Sequence, residues 1–166
     1  MAKKELNYDN AFSRAANLCV RAEHAPAEIT RKLRQWGATA EVAQQVVDNL
    51  IDTGFIDEKR YADAFVHDKV CFDYWGRKKI RYSLHCNGIP ENLIEDAFAQ
   101  IDEEVYQQNL TELLKNKLHT QTETNPYKLK SGLFRYASSR GFEPDLALPI
   151  ISKLIAGADD FDYSME

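Results

Sequence analysis

No segment of this chain is apolar for long enough to cross a bilayer: the longest weakly apolar stretch, Leu146 to Ala158, is interrupted by Pro149 and Lys153. The opening residues, MAKKELNYDNAF, lack the apolar core of a secretory signal. Cysteine is sparse: Cys19, Cys71 and Cys86 are odd in number and widely spaced, which argues against a disulfide framework and fits a reducing compartment. They read as small helix-packing residues, and the expected location is the cytosol. The usual catalytic signatures are also missing, with no G-x-x-x-x-G-K-[ST] phosphate loop, H-E-x-x-H zinc helix, G-x-S-x-G elbow or G-x-G-x-x-G turn. Catalytic residues and cofactors are therefore not expected. Nor does any run alternate with a period of two over a strand's length, which speaks against β-structure.

What remains is an ordinary globular composition, 44% hydrophobic and 28% charged over 166 residues, enough for one domain with a real core. The net charge of −5 is uneven, because Asp159, Asp160, Asp162 and Glu166 fall in a tail without Lys or Arg. The rest is close to neutral, so the large basic excess of a dedicated duplex-DNA binder is lacking. A protein partner is favoured.

The chain repeats itself. Gly37, Gly88 and Gly141 close the similar segments EITRKLRQWGA, KIRYSLHCNGI and GLFRYASSRGF. Ile29, Ile80 and Leu133 stand at one equivalent position before the glycine, and Leu33, Leu84 and Ala137 at another. Ala38, Ile89 and Phe142 follow it directly. Beyond lie Val42, Leu93 and Leu146; Val46, Ala97 and Ile150; Val47, Phe98 and Ile151; and Leu50, Ile101 and Leu154. These are helical spacings, so each copy holds two amphipathic helices joined at a glycine that closes the first of them. A further helix precedes each pair, marked by Phe12, Ala15, Ala16 and Cys19, by Tyr61, Ala62, Phe65 and Val66, and by Tyr106, Leu110, Leu113, Leu114 and Leu118. Asp57, Asp102 and Asn125-Pro126 stand where N-caps and a first-turn proline belong, and Gly54 ends the first copy. Pro149 is expected to kink or shorten the last helix.

The predicted fold is all-α: three tandem three-helix repeats stacked in a curved array, over about residues 11–56, 57–101 and 102–155. Residues 1–10 are expected to be mobile, as is the acidic tail 156–166.

Residues able to do chemistry are few. His67 and Cys71 have the i, i+4 spacing to share a metal with His85 or Cys86, but the latter two point about 100° apart on one helix. A half-buried thiol and solvated imidazoles are the better reading, and no metal site is expected. Asp57-Glu58 and Asp102-Glu103-Glu104 read as helix-start carboxylates rather than acid/base pairs. Trp36 and Trp75 read as core ahead of base-stacking platforms.

Three segments resemble the signature of the RecX regulatory family: Arg21-Ala22-Glu23-His24-Ala25-Pro26-Ala27-Glu28-Ile29-Thr30-Arg31-Lys32-Leu33, Gly54-Phe55-Ile56-Asp57-Glu58-Lys59-Arg60-Tyr61-Ala62-Asp63-Ala64-Phe65-Val66, and Gly76-Arg77-Lys78-Lys79-Ile80-Arg81-Tyr82-Ser83-Leu84-His85-Cys86-Asn87-Gly88-Ile89. In the first, Ala25 replaces the family's Ser, which loses half of a capping box, partly offset by Pro26. In the second, Glu58 replaces an Asp. The resemblance implies a bacterial modulator that binds the RecA recombinase filament and inhibits its assembly, ATP hydrolysis, strand exchange and co-protease activity. Single-stranded DNA within that filament is a further candidate partner.

For the binding face, Ile80 is the buried reference; at about 100° per residue, Arg81, His85, Lys78 and Tyr82 turn away from the core. Arg31 and Arg34 take corresponding angles in the first repeat, and Arg135 in the third. With the adjoining Arg77 and Lys79, these residues other than His85 form the expected partner-binding set, a broken basic ridge suited to oxyanions. The alternative is a helical-repeat protein acting on single-stranded DNA, since Arg77, Lys78, Lys79 and Arg81 crowd four positive charges together.

Overall fold

The computed structural model describes residues 5–162, and among them there are nine helices and no strand. The first repeat comprises α1 (Tyr8–Arg21), α2 (Pro26–Gln35) and α3 (Ala40–Asp52). The second comprises α4 (Glu58–Cys71), α5 (Arg77–Cys86) and α6 (Glu91–Phe98); the third, α7 (Glu103–His119), α8 (Pro126–Ser139) and α9 (Pro144–Asp162). The protein is thus all-α with three tandem helix triplets. Helix α1 begins inside the segment 1–10, and α9 runs past residue 155 into the tail. Residues 1–4 and 163–166 of those two segments lie outside the described residues.

Each repeat turns on its glycine in the same way. Gly37, Gly88 and Gly141 have φ of 100°, 77° and 91°, the left-handed region that a side chain disfavours. The following residue donates its N–H back to the helix, Ala38 to Leu33, Ile89 to Leu84 and Phe142 to Ala137, at 3.0, 3.1 and 3.1 Å. This is the Schellman arrangement, which pairs the side chains of those same residues. Both members are buried in all three copies. One further equivalent set, Ala43, Ile94 and Ala147, is buried as well; two of its three members are alanine, too small to mark a core by pattern alone.

Several helix starts follow their caps: Asp57 accepts from Arg60 N, Asp102 from Glu104 N and Val105 N, and Asn125 from Tyr127 N and Lys128 N. At α2 only half of a capping box exists, since the Glu28 carboxylate accepts the Ala25 N–H at 3.0 Å while Ala25 has no acceptor to return. Its methyl is fully buried instead. Pro149 does not shorten α9. It deprives only the Asp145 carbonyl of a donor, near the helix start and at an exposed residue. Cys71 and Cys86 are exposed and so are not core packing, whereas Cys19 is half-buried and packs against the core of the first repeat.

By packing, the chain divides into two compact units, one of residues up to Phe65 with Ser83–Ala99, the other of Val66–Tyr82 with Gln100 onward. The middle repeat contributes to both. In the first unit, Ala11, Ala15, Ile29, Leu33, Ala43, Val46 and Leu50 form the centre, with Phe12 and Phe55 packed against it. In the second, α7, α8 and α9 pack on one another around Leu110, Leu114, Leu133 and Ile151.

Each unit contains a polar joint built on a tyrosine one turn beyond an Asp cap. In the first, the Tyr61 hydroxyl donates to Glu28 at 3.4 Å and accepts from Asn87 at 3.0 Å. In the second, the Tyr106 hydroxyl donates to Glu143 at 2.7 Å and accepts the Arg77 N–H at 2.9 Å. Burial, reinforced by the charge of Glu28, pushes the Tyr61 phenol from its ordinary 10 up to about 12. Burial and then the bond to Glu143 raise Tyr106 as well. Both folded values exceed the unfolded one, so the stability they confer is complete below pH 10 and is lost as pH climbs through about 12. Urea midpoints are expected to fall across that window. The fall should be shallower in Tyr106→Phe; an identical fall in Tyr61→Phe/Tyr106→Phe would exclude both tyrosines as its cause.

Candidate functional site

The second helices are the basic elements of this protein. Helices α5 and α8 have no carboxylate, whereas the third helices α3 and α6 have no Lys or Arg. In α5 the imbalance is placed badly for the helix itself, because Arg77, Lys78 and Lys79 occupy its first turn, where the macrodipole disfavours positive charge. Tertiary structure relieves part of this. The Gly76 and Lys78 N–H groups donate to the carbonyls of Arg140 and Gly141 at 2.8 and 3.0 Å, and the Arg77 N–H goes to Tyr106. The end of α8 therefore caps the start of α5, which has no capping side chain of its own. In return, the Arg140 guanidinium binds the carbonyls of Asp73 and Tyr74, holding Tyr74 at its left-handed φ of 53°.

Two of the three first-turn cations are committed within the molecule. Arg77 is half-buried, paired with Glu103 and, at 3.4 Å, with Glu143, and its guanidinium lies 4.3 Å from the centre of the Tyr106 ring. Lys79 lies 4.1 Å over Trp75, whose ring also meets Lys69 at 4.5 Å. Trp36 is covered likewise by Arg14 at 4.2 Å. Both tryptophans are half-buried; Trp36 packs against the core of the first unit, and neighbouring cations cover each ring. Lys78 is exposed, with no ion-pair partner among the described residues. Tyr82, one turn on, is 72% exposed. Arg81 beside it is half-buried and engaged.

The remaining members of the predicted set divide between the units. Arg31 and Arg34 are exposed in the first, where Arg31 donates to Asn87 at 3.4 Å and Arg34 to the Ala38 carbonyl at 2.7 Å. Arg135 is exposed in the second, as are Lys78 and Tyr82. His85 pairs with Glu91 at 2.7 Å. His67 and Cys71 approach to 3.8 Å, and among the described residues no group of three or more His, Cys, Asp or Glu is placed to hold a metal. Among the same residues no helix is long and apolar enough to cross a membrane.

Comparison with known proteins places this geometry. Residues 11–50 match the model of the RecX first three-helix domain, and residues 57–97 that of the RecX second three-helix domain. A "Regulatory protein RecX" of Pseudomonas putida (strain GB-1) is 30% identical over 149 residues, covering 90% of this chain and 91% of the relative. The chain belongs to the RecX family. A RecX of Clostridium botulinum (strain Alaska E43 / Type E3) is 32% identical over 82% of this chain, which spans only 62% of that relative's length. A crystal structure of RecX from Lactobacillus salivarius has the same fold, with a TM-score of 0.75 at 21% identity, over 90% of this chain and 97% of the other. In RecX terms, α1–α3 and α4–α6 are the two matched triplets. Lys78 and Tyr82 therefore stand on the second helix of the second RecX domain.

Proposed function

We propose that this RecX protein binds the RecA recombinase filament and restrains its assembly, ATP hydrolysis, strand exchange and co-protease activity. Family membership is the observation that supports this reading. The second helices supply the contact, through Lys78, Arg81 and Tyr82 on α5, Arg31 and Arg34 on α2, and Arg135 on α8. Lys78 is the strongest member, since it opposes the dipole of its own helix and has no ion-pair partner among the described residues. The chain acts by binding, in the cytosol, without catalysis.

The test is DNA-dependent ATP hydrolysis by the cognate recombinase with and without this protein, together with filament co-sedimentation. Inhibition and co-sedimentation are expected. Lys78→Glu/Tyr82→Ala alters two exposed side chains and should leave melting within about 0.5 kcal/mol of wild type. Filament binding should weaken by about tenfold, most visibly at low salt, where charge contacts count most. Wild-type inhibition by the well-folded variant would remove α5 from the contact. No inhibition by the unaltered protein would remove the recombinase reading itself, and sub-micromolar, salt-steep binding to oligothymidylate alone would favour the nucleic-acid class.

A further inference from the structure

The third repeat departs from the other two at one place. Helix α8 has 14 residues where α2 and α5 have 10. All three end at the same distance before their glycine, so the additional turn, Pro126 to Leu129, lies at the N-terminal end of α8. Helix α9, with 19 residues, is the longest third helix and runs alongside. The added turn presents Tyr127, which at 86% is the most exposed large apolar side chain of the described residues.

Tyr127 stands between two open clefts. One, of about 270 Å³, is mostly apolar and lined by Pro126, Tyr127, Lys130, Ser152, Ile155 and Ala156. The other, of about 410 Å³, is polar and includes Lys128, Ser131, Gly132 and Arg135. Lys128, Lys130 and Arg135 are exposed and have no ion-pair partner among the described residues. The single carboxylate lining the polar cleft, Glu123, accepts the Asn125 N–H at 2.9 Å. Gly132 opens the floor, since a side chain added there would meet nothing within 4 Å.

We infer that this extension is a docking site for an acidic peptide segment of a partner protein, one that sets an apolar side chain beside two or more carboxylates. The apolar side chain enters the cleft between Pro126 and Ile155, against the Tyr127 ring, and the carboxylates meet Lys128, Lys130 and Arg135. Charge and shape select this occupant. A polyanionic strand would find the same cations but no use for an apolar cleft. The site lies outside both matched RecX domains and does not depend on the recombinase reading.

Fluorescence anisotropy with a labelled synthetic peptide of alternating Glu and Leu tests it, beside the same peptide with Gln for Glu and an oligothymidylate. No recombinase is present. The Glu peptide is expected to bind in a salt-sensitive manner and the Gln peptide at least about tenfold more weakly. Gly132→Leu should fill the polar cleft without disturbing the fold, because leucine favours a helix more than glycine does. It and Lys128→Glu/Lys130→Glu should each weaken Glu-peptide binding at least about tenfold with helicity and melting retained. Full binding by both folded variants, equal affinity for the Glu and Gln peptides, or tighter binding of the oligothymidylate would each overturn the proposal.

Discussion

Gly141→Ala is expected to destabilise the protein by about 3 kcal/mol or more, the sum of a left-handed backbone penalty and an overpacked contact. A Cβ there would overlap the Cβ and backbone nitrogen of Lys79, and one at Gly76 would overlap the backbone of Gly141 and Phe142. Neither obstacle is the flexible end of a side chain, so relief requires α5 and the α8–α9 turn to part. Parting them breaks the Gly76 and Lys78 N–H bonds that complete the start of α5. Gly76→Ala, without a positive φ, should show the contact alone. Gly54 and Gly88, both at φ 77°, have open space where a Cβ would stand, so their alanine variants isolate the backbone penalty of about 1 kcal/mol. Urea unfolding of the four variants should rank Gly141→Ala as the most damaging. Equal losses at Gly88 and Gly141 would show that the close approach to Lys79 carries no energy.

That contact marks the limit of what pattern could tell. The three glycine-centred helix pairs are legible because equivalent apolar residues recur at helical spacing, and the outward angle of Lys78 and Tyr82 follows from Ile80 alone. Cross-links between repeats leave no such trace. Tyr61 and Tyr106 read as apolar positions, yet each hydroxyl serves a carboxylate more than thirty residues away in the chain. Arg77 and Lys79 belong to the basic run by sequence, but Glu103, Glu143 and Trp75 claim them through the fold. Gly76 is visible only as a motif letter, because its reason is the backbone of Gly141. Local periodicity reports which side of a helix is buried; it does not report which residue of another repeat sits opposite.

Leu84→Ala should cost about 2–5 kcal/mol, and Ala137→Leu, at the equivalent position, about 1–3 kcal/mol in the same direction. Leu33, Leu84 and Ala137 have relative exposures of 0%, 0% and 1%, so all three sites are filled. They differ in what fills them. Each residue faces the one after the glycine across the Schellman turn: Leu33 with Ala38, Leu84 with Ile89, Ala137 with Phe142. Where the partner is largest the position itself is smallest, and the Phe142 ring reaches on to Tyr106 at a centroid distance of 5.2 Å. Truncating Leu84 leaves a void that Ile89, held by its own backbone bond to Leu84, cannot close. Enlarging Ala137 instead drives a leucine against Phe142 and, through it, against the Tyr106 joint. Ala137→Leu combined with Phe142→Ile would recreate the middle repeat's pair and should recover at least half of the loss from Ala137→Leu alone. If the double variant is merely the sum of its parts, the three turns do not share one packing rule, and their equivalence is one of backbone only.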